Sequence, residues 1–301
     1  MASEDHYYGG QAVLEGVMMR GRDCWAVAVR RPDGSVHVES HEINSIARRI
    51  PLLGKPGLRG VLALGQALSI GLRALTISAN QSVEEEARLS VGQMAMSMAL
   101  AFTLFTALFV VGPYLGLRLF RHAVGSSILR SVLEGVARVL LFLGYLVLMG
   151  RLRDVHRVFQ YHGAEHKTIA AFEHDGPLEP ATVDRYSTLH VRCGTNFLLI
   201  VMILTILVFS VFGSRGLVEG IGLRILVIPI IAGVSYELLR LGARYPRSVV
   251  IRALMAPGLW LQLITTKPPD RGQIQVAIES FREVLRREGK PAPSADPSGK
   301  I

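Results

Sequence analysis

His162, Glu165 and His166 spell H-x-x-E-H. Residues four apart on a helix share a face, so the two imidazoles point the same way. Neutral imidazoles in that arrangement can hold a divalent cation, zinc above all, and a nearby carboxylate can take a proton from an attacking water. This is the inverted order of the zincin motif. It makes His162 and His166 candidate metal ligands and Glu165 a candidate general base. The plainer alternative is an amphipathic helix whose histidines face a polar groove.

Other residues extend the set. His190 and Cys193 form an H-x-x-C pair in the same inter-span loop and add two zinc-compatible donors. Cys193 is otherwise a small buried hydrophobe beside Gly194. Glu237 stands in an apolar run, where a carboxylate is costly and has a partner; that partner is a metal or an arginine such as Arg240 or Arg244. Glu15 lies in a glycine-rich stretch, with metal, Arg20 or solvent as its options. Three protein ligands leave a position open for chemistry, whereas four make a structural site. A straight rod would carry His162 roughly 18 Å past Gly150. Glu237 therefore meets the histidines only if the chain bends, near Gly150 or Gly163.

The elements around these residues are apolar. Half of the 301 residues are hydrophobic, and the mean hydropathy is +0.36, which suits a polytopic membrane protein. Four stretches approach the roughly 20 residues that a crossing requires: Met94 to Leu117, Val132 to Gly150, Phe197 to Phe212 and Leu217 to Leu241. Within or beside them stand Glu134, Arg138, Glu219, Arg224 and Glu237, which could pair within the protein or with a partner. Of the 33 Lys and Arg, 10 precede the first stretch, 6 lie between the second and third, and 11 follow from Arg240. The positive-inside rule then places both termini in the cytoplasm with an even number of crossings. Net charge +9 follows from that topology and from anionic headgroups, and nucleic acid is the weaker partner. Met1 to Gly10 has no apolar core, so no signal peptide is expected there. Cys24 and Cys193 are read as free thiols or metal ligands.

Along the chain, residues 1–50 are expected to form a small β-rich unit. The four glycines of 9–21 argue for turns over helix, and Trp25, Val27 and Val29 alternate before Pro32-Asp33-Gly34 turns the chain into Val36 and Val38. Residues 51–92 read as a connector plus an amphipathic helix at 61–79 that lies in the interface in preference to spanning. Residues 93–241 form the membrane domain and include the cytoplasmic loop 151–196, whose helical period runs from Asp154 to Glu173. Residues 242–288 form a cytoplasmic segment ending in a helix over Gln273 to Arg287, and 289–301 a disordered tail.

Several of these motifs occur together. Gly9 to Gly21, the block His162–Lys167, His190 to Thr195, Ala232-Gly233-Val234-Ser235-Tyr236-Glu237 and Pro257-Gly258-Leu259-Trp260-Leu261-Gln262 resemble the YqhQ-like family of bacterial membrane proteins over about residues 9–285. That family is catalogued as a domain of unknown function and is sometimes labelled a predicted metal-dependent enzyme. The resemblance implies a bacterial inner-membrane protein and supplies no substrate.

The expectation is a polytopic α-helical membrane protein with about four transmembrane helices. It combines a small N-terminal β-rich unit with a cytoplasmic helical loop and a C-terminal helix. Its leading function is a metal-dependent hydrolase acting on peptide or on a lipid headgroup. The rival is a non-enzymatic scaffold that binds other membrane proteins or the secretion and insertion machinery, its polar cluster structural. A transporter ranks third, because the spans are few and unrepeated.

Overall fold

The computed structural model describes residues 8–43, 55, 57–84, 90–119, 126–212, 217–245 and 248–293. It is mostly helical, with a small antiparallel sheet at its N-terminal end. The predicted connector falls largely, and residues 294–301 of the predicted tail wholly, outside these residues, as do the side chains of Glu219 and Arg224.

The sheet is a meander of β1 (Gly9–Val13), β2 (Gly16–Arg20), β3 (Cys24–Arg30) and β4 (Val36–Glu42), each strand pairing with the next. Its register sets Val17 opposite Ala28 and Met18 opposite Val27. Side chains alternate across a strand, so β2 and β3 have two apolar faces, and both are buried. Val17, Met19, Ala26 and Ala28 form one core with the helices after residue 150, while Met18, Trp25, Val27 and Val29 form another with Ile70 and Ala74.

The second core involves α1 (Leu58–Gln81). Its length and composition suffice to cross a membrane, as do those of the segments Gly92–Phe109 and Val132–Met149. Yet α1 lies along the sheet. Arg20 donates to Gln66, Gly71 lies against Gln11, and Arg31 donates to Gln81 (2.9 Å). At its other end Gly60 packs against Gly233 and Tyr236.

The first predicted span is α2 (Val91–Thr106), a widened turn at Ala107–Val111, and α3 (Gly112–Leu119). A capping box of Ser90 and Gln93 starts it. The second is α4 (Ser127–Met149). Arg138 of α4 pairs with Glu134 (2.7 Å) and donates to the Phe109 carbonyl in the widened turn (2.9 Å). These two intramembrane candidates thus pair with each other.

The chain breaks at Gly150–Leu152 and restarts as α5 (Arg153–Glu173). A short turn of helix, α6 (Pro180–Val183), follows. The third and fourth predicted spans are α7 (Gly194–Phe212) and α8 (Leu217–Arg244). Segment Gly194–Phe209 is apolar but shorter than a full crossing.

One element departs from expectation. Residues 242–288, read as a single cytoplasmic segment, contain α9 (Val249–Thr265), an apolar helix packed on α7, α8 and α4. Pro257, Gly258 and Gln262 interrupt its apolar run, which hid it from a hydropathy reading. The closing helix α10 (Arg271–Arg287) starts with a capping box of Asp270 and Gln273. It buries Ile274, Ala277, Ile278, Phe281 and Leu285 in the core shared by the sheet and α5. The N-terminal sheet, the middle helix α5 and the C-terminal helix α10 are therefore one packed unit.

Candidate metal centre

The chain breaks near Gly150, as required, and Phe159 of α5 lies against that glycine. Within α5, Gly163 has no β-carbon, and one there would clash with the Lys267 carbonyl. The segment leaving α9 therefore crosses α5 at backbone distance, and the Lys267 N–H donates to the Phe159 carbonyl (2.9 Å).

That approach presents the Thr265 carbonyl to His162 Nδ1 (2.9 Å). The Thr188 carbonyl meets His166 Nδ1 in the same way. A carbonyl only accepts, so each Nδ1 carries a proton, and in a neutral ring Nε2 is then the acceptor. His162 Nε2 lies 3.2 Å from Cys193 Sγ. His166 Nε2 is buried with no hydrogen-bond partner, an unusual state for a buried nitrogen. The two rings stand edge to face, 4.4 Å apart. One donor atom from each of His162, His166 and Cys193 lies within 4.8 Å of the other two.

Burial sets the protonation states within the cluster. Burial holds His166 neutral, its pKa well below the ordinary value, and a charge on His162 would push it further down. Burial pushes the Cys193 thiol up. Thr195 opposes this: its hydroxyl (3.2 Å) and N–H (3.4 Å) both donate to the sulfur.

Glu165 is buried against β1. The Gly10 N–H donates to its carboxylate, and a β-carbon at Gly10 would meet its side chain. Burial raises its pKa to about 8; His162 lowers it, and Cys193 raises it. The carboxyl is therefore coupled to the cluster and holds its proton near neutrality.

His190 stays outside the three-atom cluster. Its ring is 5.7 Å from that of His166, and its Nε2 faces Glu173 (3.2 Å), which also pairs with Arg192. Burial, reinforced by His174, lowers its pKa to about 4. Glu237 is also outside: it pairs with Arg59 of α1 and accepts from the Gly57 N–H (3.4 Å). Its partner is thus an arginine, though neither Arg240 nor Arg244. Glu15 pairs with Arg157 and accepts from the Tyr161 hydroxyl (3.2 Å); Arg20 is engaged elsewhere. Cys24 and Cys193 are both free and buried.

Sequence reasoning missed the supporting residues. Gln262 of α9 accepts from the His190 N–H and donates to the His190 carbonyl (2.8 Å each), and it also donates to Asn196 (3.1 Å). Asn196 in turn donates to the Val191 carbonyl (2.7 Å). This fully buried amide pair fixes the turn that carries Cys193. The one available signal was an amide at position 262 within an apolar run.

A helical chain with apolar segments, an N-terminal sheet and a His–His–Cys cluster at their junction is the class of protein that these observations define. The family described as "Protein of unknown function (DUF1385)" matches residues 55–287, and the chain belongs to it. It is 34% identical to the "Uncharacterized protein YqhQ" of Bacillus subtilis (strain 168), a match that covers 98% of this chain and 97% of that protein. No solved structure matches the chain.

Proposed function

We propose that this is a metal-dependent hydrolase of the bacterial inner membrane, with its site on the cytoplasmic membrane face. The observation that carries the reading is the buried, unpartnered His166 Nε2 beside His162 Nε2 and Cys193 Sγ. Both rings are oriented by carbonyls behind them, as ligand histidines are. His162, His166 and Cys193 would hold the cation, zinc by the softness of the set, and leave one position open. A bound cation there would polarise the scissile group and acidify water. A cation beside it would favour the ionised form of Glu165, whose carboxylate would take the proton of the attacking water and return it to the leaving group. Gln262, Asn196 and Thr195 would keep the thiolate in place. Peptide and lipid headgroup are the substrate classes that fit a site next to apolar helices.

The packing supports four crossings. The sheet, α5 and α10 share one core, so an even number of crossings separates each from the next. The α2–α3 run and α4 supply two, and α7 and α8 two more. The helix α1 is not a crossing: the sheet covering its later half bears Glu39 and Glu42 and has edges that hydrocarbon would not tolerate. Both termini then lie on the Lys/Arg-rich, cytoplasmic side. The lipid bilayer is the first partner.

Metal analysis of purified protein tests the site. Glu165→Gln should keep one equivalent of metal and abolish function in cells, while His166→Ala should lose the metal. A parent protein without stoichiometric metal sinks the reading. A tolerated Glu165→Gln makes the cluster a structural staple and the protein a scaffold.

A further inference from the structure

We propose that α9 is an in-plane helix of the membrane surface, its outer face embedded at the headgroup–acyl boundary of the inner leaflet. This rests on the reading of α4, α7 and α8 as crossings and is independent of the metal.

Both ends of α9 are tied to the same side of the bilayer. Its first residue follows Arg244, the end of α8, by five positions. That end of α8 meets the first turn of α1 through Glu237–Arg59 and the contact of Gly233 with Gly60, and its Tyr236 interacts electrostatically with Arg20 of β2. At its other end the Thr265 carbonyl holds His162, and the next turn runs along α5. A single helix of 17 residues, about 25 Å long, cannot leave one face of a bilayer and end on the same face by crossing it. Between its ends α9 meets the end of α8 (Met255 against Gly242), then the start of α7 (Gly258 against Asn196), then the turn before it (Gln262 with His190). It thus lies across the near ends of the α7–α8 hairpin.

The two faces of α9 differ. Met255, Leu261, Gln262 and Thr265 are buried inward. Outward stand Val249, Val250, Leu254, Leu263 and Trp260, the last 68% exposed. Tryptophan prefers the headgroup boundary, where its ring is buried and its N–H stays wet. Arg240 and Arg244, at the end of α8 that leads into α9, and Arg151 and Arg153, at the α4–α5 break, are exposed and complement anionic headgroups. An apolar face beside crossing helices, with exposed cations at the neighbouring helix ends, fits a lipid surface.

Tryptophan depth measurements test this. The chain has two tryptophans, and Trp25 is buried in the sheet. Trp25→Phe leaves Trp260 as sole reporter; Val250→Trp and Leu254→Trp go into Trp25→Phe/Trp260→Phe. Should Trp25→Phe fold poorly, the same series retains Trp25 as an unquenched background. Each protein is placed in phosphatidylcholine/phosphatidylglycerol nanodiscs with bromines near the headgroup, midway along the chain or at its end. We expect positions 250, 254 and 260 to be quenched alike and most strongly, by severalfold, by the shallow bromines. Quenching of Leu254→Trp mainly by chain-end bromines would show that α9 crosses the bilayer and overturn the proposal. So would no quenching along α9, which would mean that protein covers the helix. Leu140→Trp in α4 should respond to the deep bromines; if it is silent too, the membrane reading itself fails.

Discussion

Gly163 of α5 and Lys267, just beyond α9, meet backbone to backbone. No side chain fits between them, and this contact sets the Thr265 carbonyl against His162. Gly163→Ala should push the α9 exit away from α5. Overpacking of this kind costs about 1–3 kcal/mol, so detergent-solubilised protein should unfold at a lower temperature and bind metal more weakly. Gly144→Ala, in open space, should do neither.

Thr195 holds the Cys193 sulfur with two donors, and only the hydroxyl is removed by Thr195→Val. Changes behind a ligand typically cost about 10–100-fold in metal affinity. Chelator competition should find a loss in that range with the fold intact by circular dichroism. Unchanged affinity would mean that Cys193 is not a ligand.

Glu237 is half-exposed and paired with Arg59. Glu237→Gln should leave the metal content at the parent level and lower stability by at most about 1 kcal/mol, the range for exposed pairs. A fall in bound metal would return Glu237 to the ligand set.

Glu283 of α10 accepts from Arg286, Ser40 and Arg287, with Arg286 the largest influence, and its pKa falls from 4.5 to about 2. A carboxylate held below its unfolded value stabilises the fold above that value and loses this contribution as pH falls toward the folded one. Between pH 4.5 and about 2, the stability gap between parent and Glu283→Gln should therefore narrow. Denaturant titrations across that window will show it; a constant gap would rule out the carboxylate as its source.

Much of this arrangement was legible in the sequence, for physical reasons. The alternation of Trp25, Val27 and Val29 before a Pro-Asp-Gly turn locates β3 and β4. The period of α5 and α10 follows from apolar residues three and four apart. His162 and His166 were readable because helical spacing alone puts them on one face. Cys193 was readable too, as part of an H-x-x-C pair, and it joins them; the partners of Glu237 and His190 were not. Arg59 lies 178 positions from Glu237, and Gln262 lies 72 from His190, and no local pattern records contacts so distant. Hydropathy also gives an incomplete account of two helices. It credits α1 with enough apolar length to cross, although half of that surface serves the sheet, and it overlooked α9, broken by Pro257 and Gly258.

The shared core of the sheet, α5 and α10 also dictates the order in which the protein is completed. A ribosome releases the strands well before the residues from Ile274 to Leu285. At about 5–20 residues per second, β2 and β3 wait for tens of seconds with one apolar face uncovered. Every described apolar helix is synthesised during that interval. The newborn sheet therefore keeps an apolar face exposed until α10 arrives to cover it.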